Sequence, residues 1–370
     1  MIRARSRLLL KLLLLVASLP GALSGTAAAQ TSEKLAFHGY GSWGYGRTDG
    51  NAVSIGTEEG SYENLTVALS VTGQPTERLT VHMQPHFLQT PTSSEIEIDY
   101  AFGEWAFSDQ LRFRLGKIRH SFGNYADVYE IGTLRPFFDL PTSVYGPAGI
   151  IAPAYTGINL TGIILPEDFE LSYDLLAGHM VLEVGDGLRL AEGLDLEEDG
   201  DAARKQKVRN LIGTYLRLAT PLPGLAVGTA AFAGDDPYDG QRNSTWGAFI
   251  DYGTPRITAR LEIVRHEKHL KLRMNAAYAE LAYKLGGHWE LATRYESFEA
   301  SSRLTDRTLP RSLSEHRALA LGINYWLSPN FVLRASVHRI RGNFFAFPAD
   351  REAPIEDTTR LVVLGGQFSF

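Results

Sequence analysis

The sequence predicts an all-β protein, built as a transmembrane antiparallel up-and-down β-barrel of about 16 strands. Three observations predict this class: apolar and polar side chains alternate with period 2, the alternating segments are about 10–15 residues long, and their connections alternate between short and long. Strands of this length are enough to cross a bilayer at a tilt, whereas globular strands are usually about 5–6 residues long.

The N-terminal segment has the three parts of a secretory signal peptide. Basic residues open it, an almost wholly apolar run follows from Leu8 to Leu19, and small residues close it at Ala29. A run of roughly a dozen apolar residues is too short to span a bilayer as a helix, although a membrane anchor is the alternative interpretation. We therefore expect a signal peptide at 1–29, cleavage after Ala29, and a barrel at 30–370.

The period-2 alternation runs through 16 segments of the remaining chain. In the segment 255–266, for example, isoleucine, alanine and leucine alternate with arginine, threonine and glutamate. We predict strands at 35–47, 61–73, 76–88, 94–107, 109–120, 154–165, 168–182, 207–220, 223–234, 243–253, 255–266, 273–286, 288–299, 313–328, 330–341 and 357–370. Boundaries inferred from sequence shift by several residues, so 14 or 18 strands also fit the pattern.

The connections differ at the two ends of the predicted strands. Short ones such as Gly73-Gln74-Pro75 and Gly286-Gly287 are rich in turn formers, whereas 48–60, 184–206 and 342–356 are longer and polar. Short turns at one end and long loops at the other are typical of outer-membrane barrels, in which the turns lie in the periplasm. This arrangement predicts that both termini are periplasmic.

Aromatic residues lie near the predicted strand ends, where amphipathic rings form girdles at the two membrane interfaces. They are Trp43, Tyr45, Trp105, Phe107, Trp246, Tyr252, Trp289, Tyr325 and Trp326. The core of a soluble β-rich protein would explain their number but not their position.

Composition excludes several kinds of chemistry. The chain has no cysteine, which excludes thiol catalysis, iron–sulfur clusters and cysteine zinc sites, and its net charge is −6 without a basic block that would suggest nucleic acid. Gly39–Gly44 has the glycine spacing of a dinucleotide-binding motif but lies inside a predicted strand. His82 and His86 would lie about 13 Å apart on a strand, too far to chelate one ion. We predict neither a cofactor nor a metal.

Two stretches of sequence resemble known bacterial proteins. The end of the chain, Leu361–Phe370, looks like the C-terminal strand of Gram-negative outer-membrane proteins, which implies that Phe370 is part of the signal read by the barrel-assembly machinery. The stretch Leu115–Tyr125, followed by Arg135–Phe138 and Val144–Gly146, resembles a group of bacterial porins. It lacks the Pro-Glu-Phe-Gly-Gly run of the enterobacterial general porins, so their constriction details are not carried over.

The resemblance implies a sixteen-stranded porin in which a long loop after the fifth strand, here 121–153, folds into the lumen. It also implies a water-filled channel for passive diffusion of small hydrophilic solutes and ions, a homotrimer, and contact with outer-membrane lipid and lipopolysaccharide. An external cap or a subunit contact is the alternative role for 121–153. A barrel-based enzyme of the lipase or protease type and an exported soluble β-rich binding protein are the alternative functions.

Charged residues predict the chemistry of such a pore. In 121–153, Asp127, Glu130 and Asp139 would supply negative charge to a constriction and Arg135 a positive group. Alternation predicts that the lumen is lined by Arg112, Arg114, Glu97, Asp99, Arg256, Arg260, Glu262, Arg294, Glu296, Arg317 and Arg334. Facing groups of opposite charge orient polar solutes, and the excess of arginine hints at weak anion preference. A purely structural role in the wall is the alternative for each of these arginines.

Overall fold

The computed structural model describes residues 35–370, apart from 54, 92–93, 127, 130, 149, 167, 186–204, 237–239, 269–271, 303–313, 343 and 347–355. The predicted signal peptide 1–29, with its cleavage site at Ala29, lies outside the described residues, and so do Asp127 and Glu130. Within the described part, no helix is both long enough and apolar enough to cross a membrane.

Each predicted segment forms a strand. The strands are β1 Leu35–Thr48, β2 Ser61–Gly73, β3 Leu79–Gln89, β4 Ser94–Ser108, β5 Leu111–Arg119, β6 Ala154–Ile164, β7 Glu170–Glu183, β8 Lys205–Ala219, β9 Leu225–Asp235, β10 Arg242–Gly253, β11 Ile257–Lys268, β12 Leu272–Gly286, β13 Trp289–Ser302, β14 Glu315–Ser328, β15 Phe331–Arg341 and β16 Thr358–Ser369. The predicted class and strand number are confirmed, with ends that differ by a few residues.

The strands form one closed antiparallel barrel in which each pairs with its neighbours in sequence and β16 pairs with β1. The register of the closing pair sets Tyr40 opposite Ser369 and Gly44 opposite Gly365. The last residue completes the seam, because the N–H of Phe370 donates to the carbonyl of Gly39 at 2.8 Å. Closure leaves no unpaired sheet edge, which is what a hydrocarbon environment requires.

The two faces of the wall differ in chemistry. On β11, Leu261 and Ile263 leave 45% and 44% of their surface exposed, while Glu262 between them is fully buried. On β14 and β15, Leu319 and Val337 are similarly exposed. Arginine or lysine on a lipid-facing position costs about 2–4 kcal/mol at the bilayer midplane, so an apolar outward face and a charged inward face suit a membrane barrel.

Most of the predicted girdle tryptophans, including Trp105, Trp246 and Trp289, lie exposed on the outward face. Trp326 differs, because it pairs with the inward-facing Val332 and its ring lies 5.9 Å from the guanidinium of Arg334. The girdle prediction is therefore wrong for Trp326.

A β-bulge changes the face of several residues in β4. The register between β3 and β4 shifts at Gln84 and Pro85, so that Asp99 has no counterpart on β3. The extra residue turns Tyr100 and Phe102 to the inward face, although simple alternation groups them with the outward apolar residues.

Candidate functional site

The connection between β5 and β6, residues 120–153, lies against the inward face of the wall; we call it the β5–β6 segment. Its described residues bond to inward-facing side chains on β11, β12, β13, β14, β15 and β16. Its described residues include a 3-10 turn, Gly132–Leu134, and an α-helical turn, Thr142–Tyr145. Because most of its backbone lies outside regular structure, its polar groups need partners from the wall.

Glu262 on β11 holds the start of the segment. Its Oε2 accepts hydrogen bonds from the backbone N–H of Asn124 at 3.1 Å, the hydroxyl of Tyr145 at 2.7 Å and the hydroxyl of Tyr278 at 3.1 Å. Gly123 has φ +72° and lies so close that a Cβ would meet Glu262 Oε1 at 2.0 Å. A glycine is therefore required where the segment turns onto this carboxylate.

Arg294 on β13 is the centre of a buried ionic cluster. Its Nε donates to Glu296 Oε1 at 2.9 Å, and its Nη1 donates to the backbone carbonyl of Asp139 at 2.9 Å. The Asp139 carboxylate pairs with Nη2, and the Phe137 ring lies 4.6 Å from the guanidinium. Glu296 also accepts from the N–H of Ser143 at 2.9 Å. These bonds allow a fully buried arginine to stay charged.

Asp139 is ionised within this cluster. Burial opposes the charge, but the Arg294 guanidinium and the nearby His338 hold the pKa of Asp139 below its ordinary value. The predicted negative charge is therefore present, but it is paired with the wall.

Arg334 on β15 satisfies backbone carbonyls of the segment. It donates to the carbonyl of Pro136 at 2.7 Å, to that of Gly132 at 3.1 Å and to Gln367 Oε1 at 2.6 Å. Gln367 in turn donates to the carbonyl of Phe138 at 3.1 Å. Arg334 and Arg294 therefore both bind the β5–β6 segment.

The ring of Phe138 rests on a glycine pair in the wall. A Cβ on Gly44 or Gly365 would come within 2.6 Å or 2.5 Å of the ring. These glycines face each other across β1 and β16, so their missing side chains leave a shallow recess. The recess fixes the Arg-Pro-Phe-Phe stretch that carried the resemblance.

Arg112 and Arg114 on β5 keep more contact with solvent, with side chains 34% and 25% exposed. Arg114 bonds to Glu104 at 2.6 Å and lies 3.9 Å from Asp174, while Arg112 lies 3.5 Å from Glu104. Arg112 also bonds to Asp109 at 3.1 Å, in the turn before β5. Two arginines and three carboxylates thus form a patch, in which both arginines remain accessible.

Arg260 joins the segment to the accessible wall. It pairs with Asp251 at 3.2 Å and donates to the hydroxyl of Tyr125 at 3.1 Å. Its guanidinium also lies 4.7 Å from the Tyr125 ring centre. Tyr125 donates to Glu280, so this contact links three strands.

The other predicted site residues lie in separate places. Asp99 accepts from Gln84 at 2.7 Å on the inward face. Glu97 pairs with Lys205 at 3.2 Å, where β4 and β8 extend toward the loops. Arg256 is exposed in the turn before β11.

Two further predicted residues need comment. Arg317 shares the outward face with Leu319 and Leu321, so the prediction that it lines the lumen is wrong. Its position near the loop end keeps the charge out of the apolar band. Arg135 is half-buried and donates to the carbonyl of Tyr129 at 3.4 Å; burial lowers the pKa of its guanidinium.

Sequence reasoning missed Asn124, Tyr125, Tyr145, Tyr278 and Gln367. The last two sit at inward positions of predicted strands, so their polar groups were a usable signal. The other three act through a fold of the segment that local pattern does not specify.

A serine–histidine pair also lies beneath the segment. Ser336 Oγ is 2.8 Å from His338 Nε2, and Asp139 Oδ1 is 4.0 Å from that same nitrogen. A catalytic orienter bonds the other ring nitrogen, so this is not triad geometry. Across the described residues, no group of three or more histidine or acidic side chains could hold a metal ion.

No protein-family model matches the sequence, and no curated protein is detectably similar to it. Solved structures do match. OmpF of Salmonella typhi in complex with daunomycin is 10% identical with a TM-score of 0.59, covering 91% of this chain and 97% of that one. The barrel has the porin fold.

Two other matches agree with it. An anion-selective porin from Comamonas acidovorans is 11% identical with a TM-score of 0.56. OmpT, an outer membrane protein of Vibrio cholerae in its trimer form, is 12% identical with a TM-score of 0.56. Each covers 91% of this chain and is covered over 99% of its own length. At these identities the likeness concerns the fold alone.

Proposed function

We propose that this chain forms a water-filled pore in the outer membrane for passive diffusion of small hydrophilic solutes and ions. The observation that carries the proposal is the division of the wall, apolar and exposed outside, charged inside. The β5–β6 segment narrows the lumen, because Glu262, Arg294 and Arg334 bind it to one side. The accessible Arg112 and Arg114 face the remaining opening.

Further parts of the proposal concern export and assembly. Residues 1–29 act as a signal peptide, the turns and both termini lie in the periplasm, and Phe370 is read by the barrel-assembly machinery. Three copies form a trimer in contact with lipid and lipopolysaccharide. The trimer form of the Vibrio cholerae protein and the shared barrel fold support this assembly.

Purified protein in planar bilayers should show stepwise conductance. We expect Arg114→Glu to shift the reversal potential in a salt gradient toward cations, because Asp174 would lose this partner, Glu104 would keep only Arg112, and a third negative group would be added beside them. Arg112→Glu should shift it in the same direction.

The matched control is Arg265→Glu, which makes the same charge change on the outward face of β11. It should leave the reversal potential unchanged. Absence of stepwise conductance in the unmodified protein would overturn the pore. Conductance without a shift in Arg112→Glu and Arg114→Glu would remove both from selectivity.

We also propose that the barrel is not an enzyme. Ser336 and His338 are 8% and 5% exposed, and Asp139 lies nearest the nitrogen that Ser336 already contacts. Detergent-purified protein should hydrolyse neither ester nor peptide substrates. Hydrolysis that Ser336→Ala abolishes would contradict this.

A further inference from the structure

Four arginines form a cluster on the outward face near the loop ends of β14, β15 and β16. In the register, Arg317 lies directly opposite Arg341, and Arg339 lies directly opposite Arg360. All four are exposed. Like charges set opposite each other across two strands destabilise a sheet, so an anion bound between two such pairs would stabilise it.

Few carboxylates within the described part of the chain offset this charge. Glu315 lies 3.6 Å from Arg317, and Asp49 lies 3.8 Å from Arg360. Arg339 and Arg341 make no ion pair with any described residue. Counted over the described residues alone, the ion pairs of the cluster therefore leave positive charge unbalanced.

The outward arginines at the same end of other strands are arranged differently. Arg273 lies opposite Glu267, which also bonds Arg265 at 2.6 Å. Arg242 lies opposite Asp235, at 3.3 Å. Opposite charges face each other there, so repulsion between facing arginines is confined to the cluster among these described positions.

The cluster lies at the edge of the apolar band. Arg339 pairs directly with Leu319, and Val337, two residues along β15, is 53% exposed. In a membrane this is the depth at which hydrocarbon gives way to headgroups. Arginine binds phosphate with two parallel hydrogen bonds, and basic residues at this depth attract anionic lipid.

We propose that these four arginines bind the headgroup of a phosphorylated lipid in the leaflet at the loop end. Two facing arginine pairs fit a lipid with two phosphate groups, one phosphate to each pair. The inference rests on the proposed function in that the barrel spans the outer membrane with its turns in the periplasm; it does not depend on conductance.

The test uses the full-length processed protein in detergent, titrated with lipid A carrying two phosphates and followed by native mass spectrometry. The double variant Arg339→Gln/Arg341→Gln removes one arginine from each facing pair. We expect it to bind about 30-fold more weakly than the unmodified protein, at roughly fivefold for each arginine near a membrane surface.

The matched control is Arg265→Gln/Arg273→Gln, which removes two outward arginines that already have a carboxylate partner. It should bind lipid A as the unmodified protein does. An equal loss of lipid A affinity in the control would overturn the proposal. Unchanged lipid A binding by the double variant of the cluster would overturn it too.

Competition experiments distinguish lipid A from other ligands of the cluster. Pyrophosphate without acyl chains should compete weakly, and phosphatidylcholine should not compete. If pyrophosphate binds as tightly as lipid A, the site is for free phosphate and the lipid assignment is wrong. If the cluster variant loses its trimer but keeps lipid A, the cluster is a contact between copies and the proposal fails. Unchanged channel conductance in the variant separates this test from that of the pore.

Discussion

At the scale of single residues, the inward-facing arginines have two different roles. Arg294 and Arg334 are buried because the β5–β6 segment covers them, and each donates to carbonyls of that segment. Removing one partner of a buried ion pair, such as that of Arg294 with Asp139, costs about 3–5 kcal/mol. Arg112 and Arg114 also lie on the inward face but stay accessible. The odd or even position of a residue in its strand determines which face of the wall it lies on. Only the path of the β5–β6 segment decides whether an inward arginine is buried or stays accessible.

We expect His120 to make the folded protein less stable in acid. It follows β5, is buried against Phe232, and its Nδ1 lies 3.0 Å from the carbonyl of Ala152. Burial lowers the pKa of His120 to about 4. The unfolded chain, with an ordinary pKa near 6.5, binds a proton first as the pH falls. The contribution of neutral His120 to stability is therefore fully present above about pH 6.5, is lost as the pH falls to about 4, and changes no further below that.

We expect acidification through this window to cost the protein about 3 kcal/mol through His120. His120→Gln should have a smaller loss of thermal stability between pH 7.5 and pH 4 than the unmodified protein. His38→Gln, which changes an exposed histidine, is the control and should keep the original loss. Equal losses in all three proteins would show that His120 does not control this transition.

At the scale of elements, the strands were predictable because lipid and water select opposite side chains on the two faces. The bulge in β4 was not predictable from alternation, because one extra residue moves every side chain beyond it to the opposite face. Pro85 was a usable signal, because a proline inside a strand often marks an irregular position. The error at Arg317 has another origin. Arg317 lies two residues from the outward-facing Leu319, so alternation itself predicts an outward position for it.

The β5–β6 segment depends on a recess that only glycine provides. We expect Gly365→Ala to displace the Phe138 ring, because its Cβ would lie 2.5 Å from the ring and 2.9 Å from the carbonyl of Trp43. Overpacking of this kind costs about 1–3 kcal/mol. The variant should unfold at lower temperature and show noisier, larger single-channel conductance.

The neighbouring Gly366→Ala is a matched control, because its Cβ would point outward and meet the flexible Phe331 ring at 3.3 Å. It should leave conductance unchanged. If both alanine variants alter the conductance equally, the effect comes from the strand itself and not from the position of Phe138.

At the scale of the whole molecule, the barrel follows from repetition. Sixteen long segments with one apolar face, joined by connections that alternate between short and long, predict a closed barrel in a membrane, so the class could be predicted from sequence alone. The candidate site was less predictable. Asn124 bonds Glu262 across 138 positions of sequence, and no local pattern encodes a contact of that range.

Closure of the barrel ends at Phe370. Its backbone exchanges two hydrogen bonds with Gly39, and its ring occupies the space beside that glycine. The side chain is nevertheless 66% exposed, so its packing contributes little to the folded barrel. A residue that matters to the finished structure mainly through its backbone is free to serve as a signal.

Phe370→Ala should therefore separate assembly from stability. In cells, we expect the amount of folded barrel in the outer membrane to fall severalfold. Refolding of the denatured variant into detergent should proceed almost as in the unmodified protein, since the backbone bonds to Gly39 remain. Leu364→Ala, which trims an exposed side chain in the middle of β16, is the control and should behave normally in both assays. Recognition by other proteins takes place in cells but not in detergent. If Phe370→Ala lowers the amount of folded barrel equally in both, the ring acts through packing and not as an assembly signal.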